Sequence, residues 1–383
     1  MNTINKIPLT LYIHMPWCIR KCPYCDFNSY TITSNSNTQN YINALLQDLQ
    51  GDLANIQNRE LISIFIGGGT PSLFSPTEIA QLLHKIQQQI KWKKNLEITM
   101  EVNPGTFNQQ QLLEFRTTGI NRLSIGIQSF QDIKLKSLGR IHNAKQAKEA
   151  IEIIHKVNFN NFNLDLMHGL PQQTVAEALH DLQTAIKLSV PHISWYQLTI
   201  EPNTYFADHC PQLPSEKILE KIQQEGNKLL TAANYQHYEI SNYCQPQYRC
   251  QHNINYWEFG DYLGIGAGAH SKITNLQTGV IKRYHKHTNP QEYLNPQKSF
   301  IAHTEIIPPK NLPLEFMLNA LRLNEGVPIR LFTERTGIKL ATIMPALLIL
   351  QKQGLITTNH SLLKTTQLGQ RFLNKCLEIF VAT

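Results

Sequence analysis

Six short β-like runs separated by helix-length segments constrain this chain more than any other feature. They are Leu11 to Met15, Ile62 to Ile66, Ile98 to Val102, Leu123 to Ile127, Asn163 to Leu166 and Ser194 to Ile200. The stretches between them repeat apolar residues at helical spacing, as in Tyr41, Leu45, Leu49 and Leu53, or Ile79, Leu82, Leu83 and Ile86. Ser75-Pro76 supplies an N-cap followed by proline at the first helical position. Consecutive βα units joined by crossover helices build a parallel sheet buried on both faces. The expected fold class is therefore α/β, an incomplete parallel (β/α)6 barrel, with a doubly wound sheet as the competing arrangement. His237 to Ile240 reads as a further strand that closes the core, and the Gly-rich stretch Gly260 to Gly268 reads as a break in the pattern.

A chain of 383 residues exceeds what one core usually serves, so a second, smaller domain is expected. Pro308-Pro309 marks the linker. Beyond it, Leu314 to Leu323, Ile329 to Arg335 and Ala341 to Gln351 read as helices, and Leu355 to Thr358 with Leu362 to Thr366 as a hairpin. The division expected is a core over 1–240, a connecting segment over 241–307, and a C-terminal helical, winged-helix-like domain over 308–383. The plain alternative for the last is a cap that packs on the core and binds nothing of its own.

The seven cysteines are odd in number, and three of them crowd into LYIHMPWCIRKCPYCDFNSY as Cys18, Cys22 and Cys25. Reduced thiols held for a metal suit that distribution better than a disulfide framework. The C-x3-C-x2-C spacing can hold three corners of an iron-sulfur cubane and leave the fourth iron open to a small molecule. Structural zinc, with His14 near in sequence as a further donor, and unligated core thiols are the alternatives. The N-terminal stretch MNTINKIPLT has no apolar core, and no later run approaches the length of a membrane span, so a cytoplasmic protein is expected. The formal charge of +7 is modest and spread along the chain. It argues against a nucleic-acid partner, and is compatible with anionic ligands or peripheral contact with an anionic membrane.

In parallel βα folds, ligand sites gather where strands end. The run ISIFI ends in Gly67-Gly68-Gly69-Thr70-Pro71, ITM at Glu101, LSIGI at Gln128 and FNL at Asp165. The glycines allow close backbone approach to a ligand, the carboxylates can accept from an ammonium or ribose hydroxyls, and Gln128 can donate and accept. Each alone can equally cap the next helix. Four at one end, downstream of the cysteine loop, point to a ligand.

Taken together, these residues resemble the radical-SAM superfamily, and within it the HemN/HemW group of coproporphyrinogen dehydrogenases and haem chaperones. The resemblance runs from Tyr12 to the C-terminal helices. It implies that Cys18, Cys22 and Cys25 ligate a 4Fe-4S cluster and that S-adenosyl-L-methionine chelates the open iron. It further implies that Tyr12, Tyr24, Gly68, Gly69, Thr70, Glu101, Gln128, Arg140 and Asp165 line the S-adenosylmethionine pocket. Arg140 falls in a helical stretch past its strand, where a solvated surface arginine is the alternative.

Two features divide the group. The dehydrogenases resembling HemN carry another cysteine two residues after the third cluster ligand, where this chain has Phe27. QHNINYWEFGDYLGIGAGAHS contains His252-Asn253-Ile254-Asn255-Tyr256-Trp257, matching the HNxxYW pattern typical of HemW-like haem chaperones. Imidazole is a common haem ligand and aromatic rings offer a flat wall, so His252 is a haem-ligand candidate, its alternative being a packed core histidine. Cys244 and Cys250 nearby are either thiolate ligands or inert buried thiols. The resemblance implies a haem-binding chaperone that transfers haem to an acceptor protein, such as a membrane-bound respiratory enzyme. The other implied function is oxygen-independent coproporphyrinogen III dehydrogenation.

Overall fold

The computed structural model describes residues 7–358 and 361–381. Residues 1–6 of the N-terminal stretch and the turn of the C-terminal hairpin lie outside the described residues. Six strands form the parallel core: β1 (Leu9–Met15), β2 (Leu61–Gly68), β3 (Trp92–Val102), β4 (Arg122–Gln128), β5 (Phe162–His168) and β6 (His192–Gln197), each paired in parallel with the next. The crossover helices are sharply started. Ser75 with Glu78, Asn108 with Gln111, Asn143 with Gln146 and Thr174 with Glu177 all form reciprocal capping boxes. Each cap contributes about 1 kcal/mol and fixes where a loop at the top of the barrel ends.

Alternation along each strand sorts the side chains. Leu11, Ile13, Ile64, Ile66, Ile98, Met100, Ile125 and Leu164 pack outward under the helices. Glu101, Ser124, Asp165 and Ser194 point into a common cavity. The six βα units thus form the incomplete (β/α)6 barrel expected from the sequence.

The sheet is larger than the barrel. β7 (Gln236–Glu239) and β8 (Asn242–Cys244) follow β6, with β8 antiparallel to both neighbours. The run at His237 therefore sits at the outer edge and leaves the barrel open. The Gly260–Gly268 stretch, expected to break the pattern, contains β9 (Asp261–Ile265), a seventh parallel strand on the free side of β1. Its glycines serve close backbone packing: a Cβ on Gly264 would lie 2.2 Å from the His270 carbonyl oxygen, and Gly266 has φ +103. β10 (His270–Thr274), β11 (Ile281–Lys286) and β12 (Ile301–Ile306) continue antiparallel, completing twelve strands in the order β12-β11-β10-β9-β1-β2-β3-β4-β5-β6-β8-β7. Residues 241–307, read in sequence as a connection, supply five strands of the central sheet.

Helices Leu312–Ala320, Arg330–Thr336 and Met344–Lys352 then surround a small sheet of Val327–Pro328, Leu362–Thr365 and Ile356–Thr358. Phe316, Phe332, Leu347 and Leu363 form its core, joined by Tyr238 and Phe259 from the larger body. The C-terminal region is helical and winged-helix-like, and is packed against the barrel.

Candidate functional site

The cysteine loop leaves the top of β1. Trp17–Cys18 pairs in parallel with Tyr30–Thr31, closing the loop at its base. Gly69 N–H donates to the Met15 carbonyl at 2.7 Å and Thr70 N–H to the Trp17 carbonyl at 2.8 Å, which staples the Gly-rich turn after β2 to the loop. A Cβ on Gly69 would fall 2.5 Å from the Trp17 oxygen. Glycine is required there for the close approach of two backbones.

Cys18, Cys22 and Cys25 line the mouth of a cavity of about 560 Å³. Arg140 Nη1 donates to Cys22 Sγ at 3.6 Å, and Ser29 Oγ lies 3.7 Å from Cys25 Sγ. Burial pushes the Cys18 and Cys25 thiols above their ordinary value, so a cationic centre is needed to hold them as thiolates. His14 is not a fourth donor. Its Nδ1 lies 3.0 Å from the Tyr12 hydroxyl and its Nε2 2.7 Å from the Asn28 carbonyl, and burial pushes it down to about 4. Among the described residues, no three His, Cys, Asp or Glu side chains converge to hold a single ion. Three soft donors from one loop, with no histidine completing them, match a cluster that keeps one iron open rather than a closed zinc site.

Behind the thiols the cavity carries both charges, Glu101 and Asp165 with Arg122 and Arg140. Glu101 Oε2 accepts from Gly68 N–H at 2.9 Å, and Gly68 has φ +112, with no room for a side chain beside His14. Burial, then the charge of Asp165, pushes the Glu101 carboxyl up to about 7, while the Gly68 N–H pulls it back. Asp165 accepts from Asn163 Nδ2 at 2.7 Å and Ser124 Oγ at 3.1 Å, and burial raises it also. Two desolvated carboxylates facing one cavity favour a cationic or hydroxyl-rich ligand.

Gln128, φ +69, accepts from the Tyr196 hydroxyl at 2.9 Å. Thr70 Oγ1 accepts from Asn103 Nδ2 at 3.1 Å. Tyr24 lies in the lining, its hydroxyl raised by burial beside Arg140.

Three expectations need adjustment. Asp165 lies within β5 rather than at its end, because the apolar run continues through Leu166 and Met167 to His168. Arg140 is neither helical nor on the surface. It follows the helix Asp132–Ser137 and enters the cavity, where Nη2 donates to Asn103 Oδ1 at 2.6 Å and the Gly126 carbonyl at 2.7 Å. Tyr12 is outside the cavity lining, stacked on Phe65 at 6.2 Å beneath it. Asn103, Arg122, Asn163, Ser194 and Tyr196 line the cavity without having been singled out. Counting back by twos from Gln128 and Asp165 finds Arg122 and Asn163, since strand alternation puts them on the same face.

The HNxxYW segment forms the barrel floor. Helix Gln251–Trp257 sits at the N-terminal ends of the strands, where Glu97 accepts from the backbone N–H groups of Gln251 and His252, each at 3.2 Å. His252 is 3% exposed, with Nδ1 3.0 Å from Ser63 Oγ and the ring against Phe65 and Tyr256. Burial pushes it down to about 3, and Nε2 has no hydrogen-bond partner among the described residues. The His252 ring is enclosed, while the neighbouring Cys250 and Asn253 line the cavity. Asn255 donates to the Asp261 carbonyl at 2.9 Å, and Trp257 carries Arg322 over its ring at 4.3 Å. Cys244 and Cys250 are free and buried, their thiols pushed up to about 11 and 12 by burial; Cys250 lines the cavity and its Sγ donates to Glu97 Oε1 at 3.7 Å.

Comparison with known proteins bears on this arrangement. The chain is 50% identical over 378 residues to "Heme chaperone HemW" of Haemophilus influenzae, covering 98% of both chains. The chain belongs to the HemW family. The protein of the same name from Escherichia coli is 46% identical over 375 residues, again covering 98% of each. A family model of the Radical SAM superfamily matches residues 12–185, and one of the HemN C-terminal domain matches 307–372. Radical SAM membership implies a 4Fe-4S cluster and S-adenosylmethionine. The solved structure of coproporphyrinogen III oxidase (HemN) from Escherichia coli superposes with a TM-score of 0.82 at 21% identity, covering 99% of this chain and 92% of that one. That likeness establishes a shared fold.

Proposed function

We infer that this protein is a haem carrier that binds haem and passes it to an acceptor protein, with a 4Fe-4S cluster and S-adenosylmethionine regulating the transfer. The observation that carries this is identity of 50% over 378 residues, covering 98% of both chains, with a protein named as a haem chaperone. Phe27, 57% exposed on the cysteine loop where HemN-like dehydrogenases carry a cysteine, agrees with it.

Cys18, Cys22 and Cys25 are assigned as the cluster ligands. A cluster with one open iron supplies a Lewis-acidic anchor for the amino and carboxylate groups of S-adenosylmethionine. The chain's own residues do the rest. Glu101, held by Gly68, would accept from the N–H groups of the ligand's amino nitrogen. Asp165, oriented by Ser124 and Asn163, accepts from ribose hydroxyls. Gln128 is fixed by Tyr196, and Arg140 places its charge beside the Cys22 sulfur. A division near 307 is likewise assigned, since most of the second apolar core lies beyond it, whereas 241–307 contributes Leu263, Ile265, Ile273 and Tyr284 to the core of the barrel itself.

Among the described residues no helix is long and apolar enough to cross a membrane. The assigned setting is the cytoplasm, with peripheral contact to a membrane-bound respiratory enzyme as acceptor. The test is anaerobic incubation of the cluster-reconstituted protein with coproporphyrinogen III, S-adenosylmethionine and a reductant, following porphyrins and 5'-deoxyadenosine together. A haem carrier leaves the porphyrinogen unchanged. Protoporphyrinogen formation would make it a dehydrogenase despite Phe27.

A further inference from the structure

The net charge is concentrated at the C-terminal end rather than spread along the chain. Residues 308–383 hold nine Lys and Arg against four Asp and Glu, a surplus of +5 out of the +7 of the whole chain. Between Glu334 and Glu378 there is no acidic residue, while Arg335, Lys339, Lys352, Lys364, Arg371 and Lys375 all fall in that stretch. Arg371 reaches Glu220 at 3.2 Å and Lys375 reaches Glu378 at 2.9 Å. Lys339 and Lys352 are exposed and enter no ion pair among the described residues.

The same stretch exposes an apolar helix face. In the helix Met344–Lys352, Leu347 and Leu350 point into the second apolar core. Met344, Pro345, Leu348 and Ile349 point the other way, with Met344 36%, Leu348 51% and Ile349 46% exposed. At the angular step of an α-helix these four fall within an arc of about 140°, so the first two turns present one apolar side to solvent. Lys352 closes that side at the C-terminal end, and Lys339 lies just ahead of the short turn Leu340–Thr342 that leads into the helix. Single exposed apolar residues are ordinary on a protein surface, but four on one side of one helix mark a contact face.

The chemistry of the face selects its partner. The second helix of a helix-turn-helix pair that binds DNA needs side chains that hydrogen-bond base edges and phosphates. Here that helix turns four apolar side chains outward, which does not suit a nucleic acid. A groove on another protein would accept the apolar side, but gives no reason for the lack of carboxylates over the 43 residues between Glu334 and Glu378. An anionic bilayer accounts for both, since hydrocarbon enters the headgroup boundary, lysines meet lipid phosphates, and carboxylates would be repelled. We propose that the Met344–Lys352 face docks on an anionic lipid surface, with Met344, Leu348 and Ile349 entering the interface and Lys339 and Lys352 binding lipid phosphates. The lysine stems lie along the apolar side while their charges stay in the headgroup layer. The proposal deepens the haem-carrier function and rests on it only for its purpose, by naming the surface that brings the chain to a membrane-bound acceptor. The docking itself needs neither haem nor acceptor.

The test is co-sedimentation of the full, cluster-reconstituted chain with vesicles of phosphatidylglycerol and phosphatidylcholine in equal parts, against vesicles of phosphatidylcholine alone. Wild type binds the mixed vesicles at low salt, leaves them as salt screens the lysines, and binds phosphatidylcholine alone more weakly. The double variant Leu348→Asp, Ile349→Asp lowers the affinity by about tenfold or more, since both side chains lose their burial in lipid. Lys339→Glu with Lys352→Glu, at two exposed positions that leave the apolar side intact, also lowers it by about tenfold or more. Both variants keep the thermal unfolding, cluster content and S-adenosylmethionine affinity of wild type. A wild-type chain that stays in solution beside the mixed vesicles would overturn the proposal, as would a lysine variant that binds them as tightly as wild type. Loss of haem transfer in the Leu348, Ile349 variant when no form binds vesicles would make the face a protein interface and overturn it too. Vesicle binding by a chain that takes up no haem would support the docking face and overturn the carrier function alone.

Discussion

Replacing Glu101 by glutamine separates the stability of the site from its use. The carboxyl has an ordinary value of 4.5 and stands at about 7 in the folded chain, because burial and the neighbouring Asp165 oppose its charge. Between those values the folded chain holds a proton that the unfolded chain has lost, so folding becomes less favourable as the pH rises from 4.5 to 7 and the burden is complete above 7. The shift corresponds to about 3 kcal/mol as an upper bound. Glu101 opens onto the cavity and is not fully shielded, so roughly 1–2 kcal/mol is the working figure. Glutamine keeps an acceptor for Gly68 N–H and loses the charge. Urea unfolding of the cluster-free Glu101→Gln chain should show it more stable than wild type at pH 8, with the difference shrinking towards pH 5. S-adenosylmethionine binding to the reconstituted variant should nonetheless be weaker, since the N–H groups of its amino nitrogen lose a charged acceptor. A variant equally destabilised at both pH values would refute the electrostatic reasoning, because a packing defect does not titrate.

Cys22→Ser should abolish the visible absorption of the reconstituted cluster, and retention of a full cluster would remove the thiol from the ligand set. Asp261, buried between Lys272 at 2.8 Å and Arg59 at 2.7 Å, is held below its ordinary value despite burial, chiefly by those two charges. Asp261→Asn should cost about 3–5 kcal/mol at neutral pH, measured by denaturant unfolding. The wild-type contribution should fade as the pH falls below the ordinary 3.8. Gly264→Ala should cost roughly 3 kcal/mol, because its Cβ would meet the His270 carbonyl; a change in melting temperature near zero would show that β9 and β10 can separate freely.

The six-stranded barrel was readable because each parallel strand carries a short apolar run and each crossover helix a recognisable cap. β9 was not, because alternating glycines weaken the apolar signal while serving backbone contacts with His14 and His270 that only the folded sheet creates. The same limit applies within the site. Cys18, Cys22 and Cys25 are local in sequence and were evident from spacing. Glu101 and Gln128 were found from the ends of their strands. Arg140, expected in the pocket from the resemblance, lines the cavity, but its own sequence reads as helical because its entry depends on a loop turning back into the barrel. The HNxxYW segment shows the converse: a motif that the family resemblance associates with haem folds into the floor, where Glu97 and Ser63 hold it.

Haem transfer tests the central claim most directly. Haem-loaded, cluster-reconstituted protein is mixed with a haem-depleted membrane-bound respiratory enzyme, and the acceptor's haem spectrum is followed with and without S-adenosylmethionine. Haem is expected to move to the acceptor at a rate that depends on the intact cluster and S-adenosylmethionine. Haem that stays with the chain, or leaves it at the same rate when the cluster is absent, would contradict it.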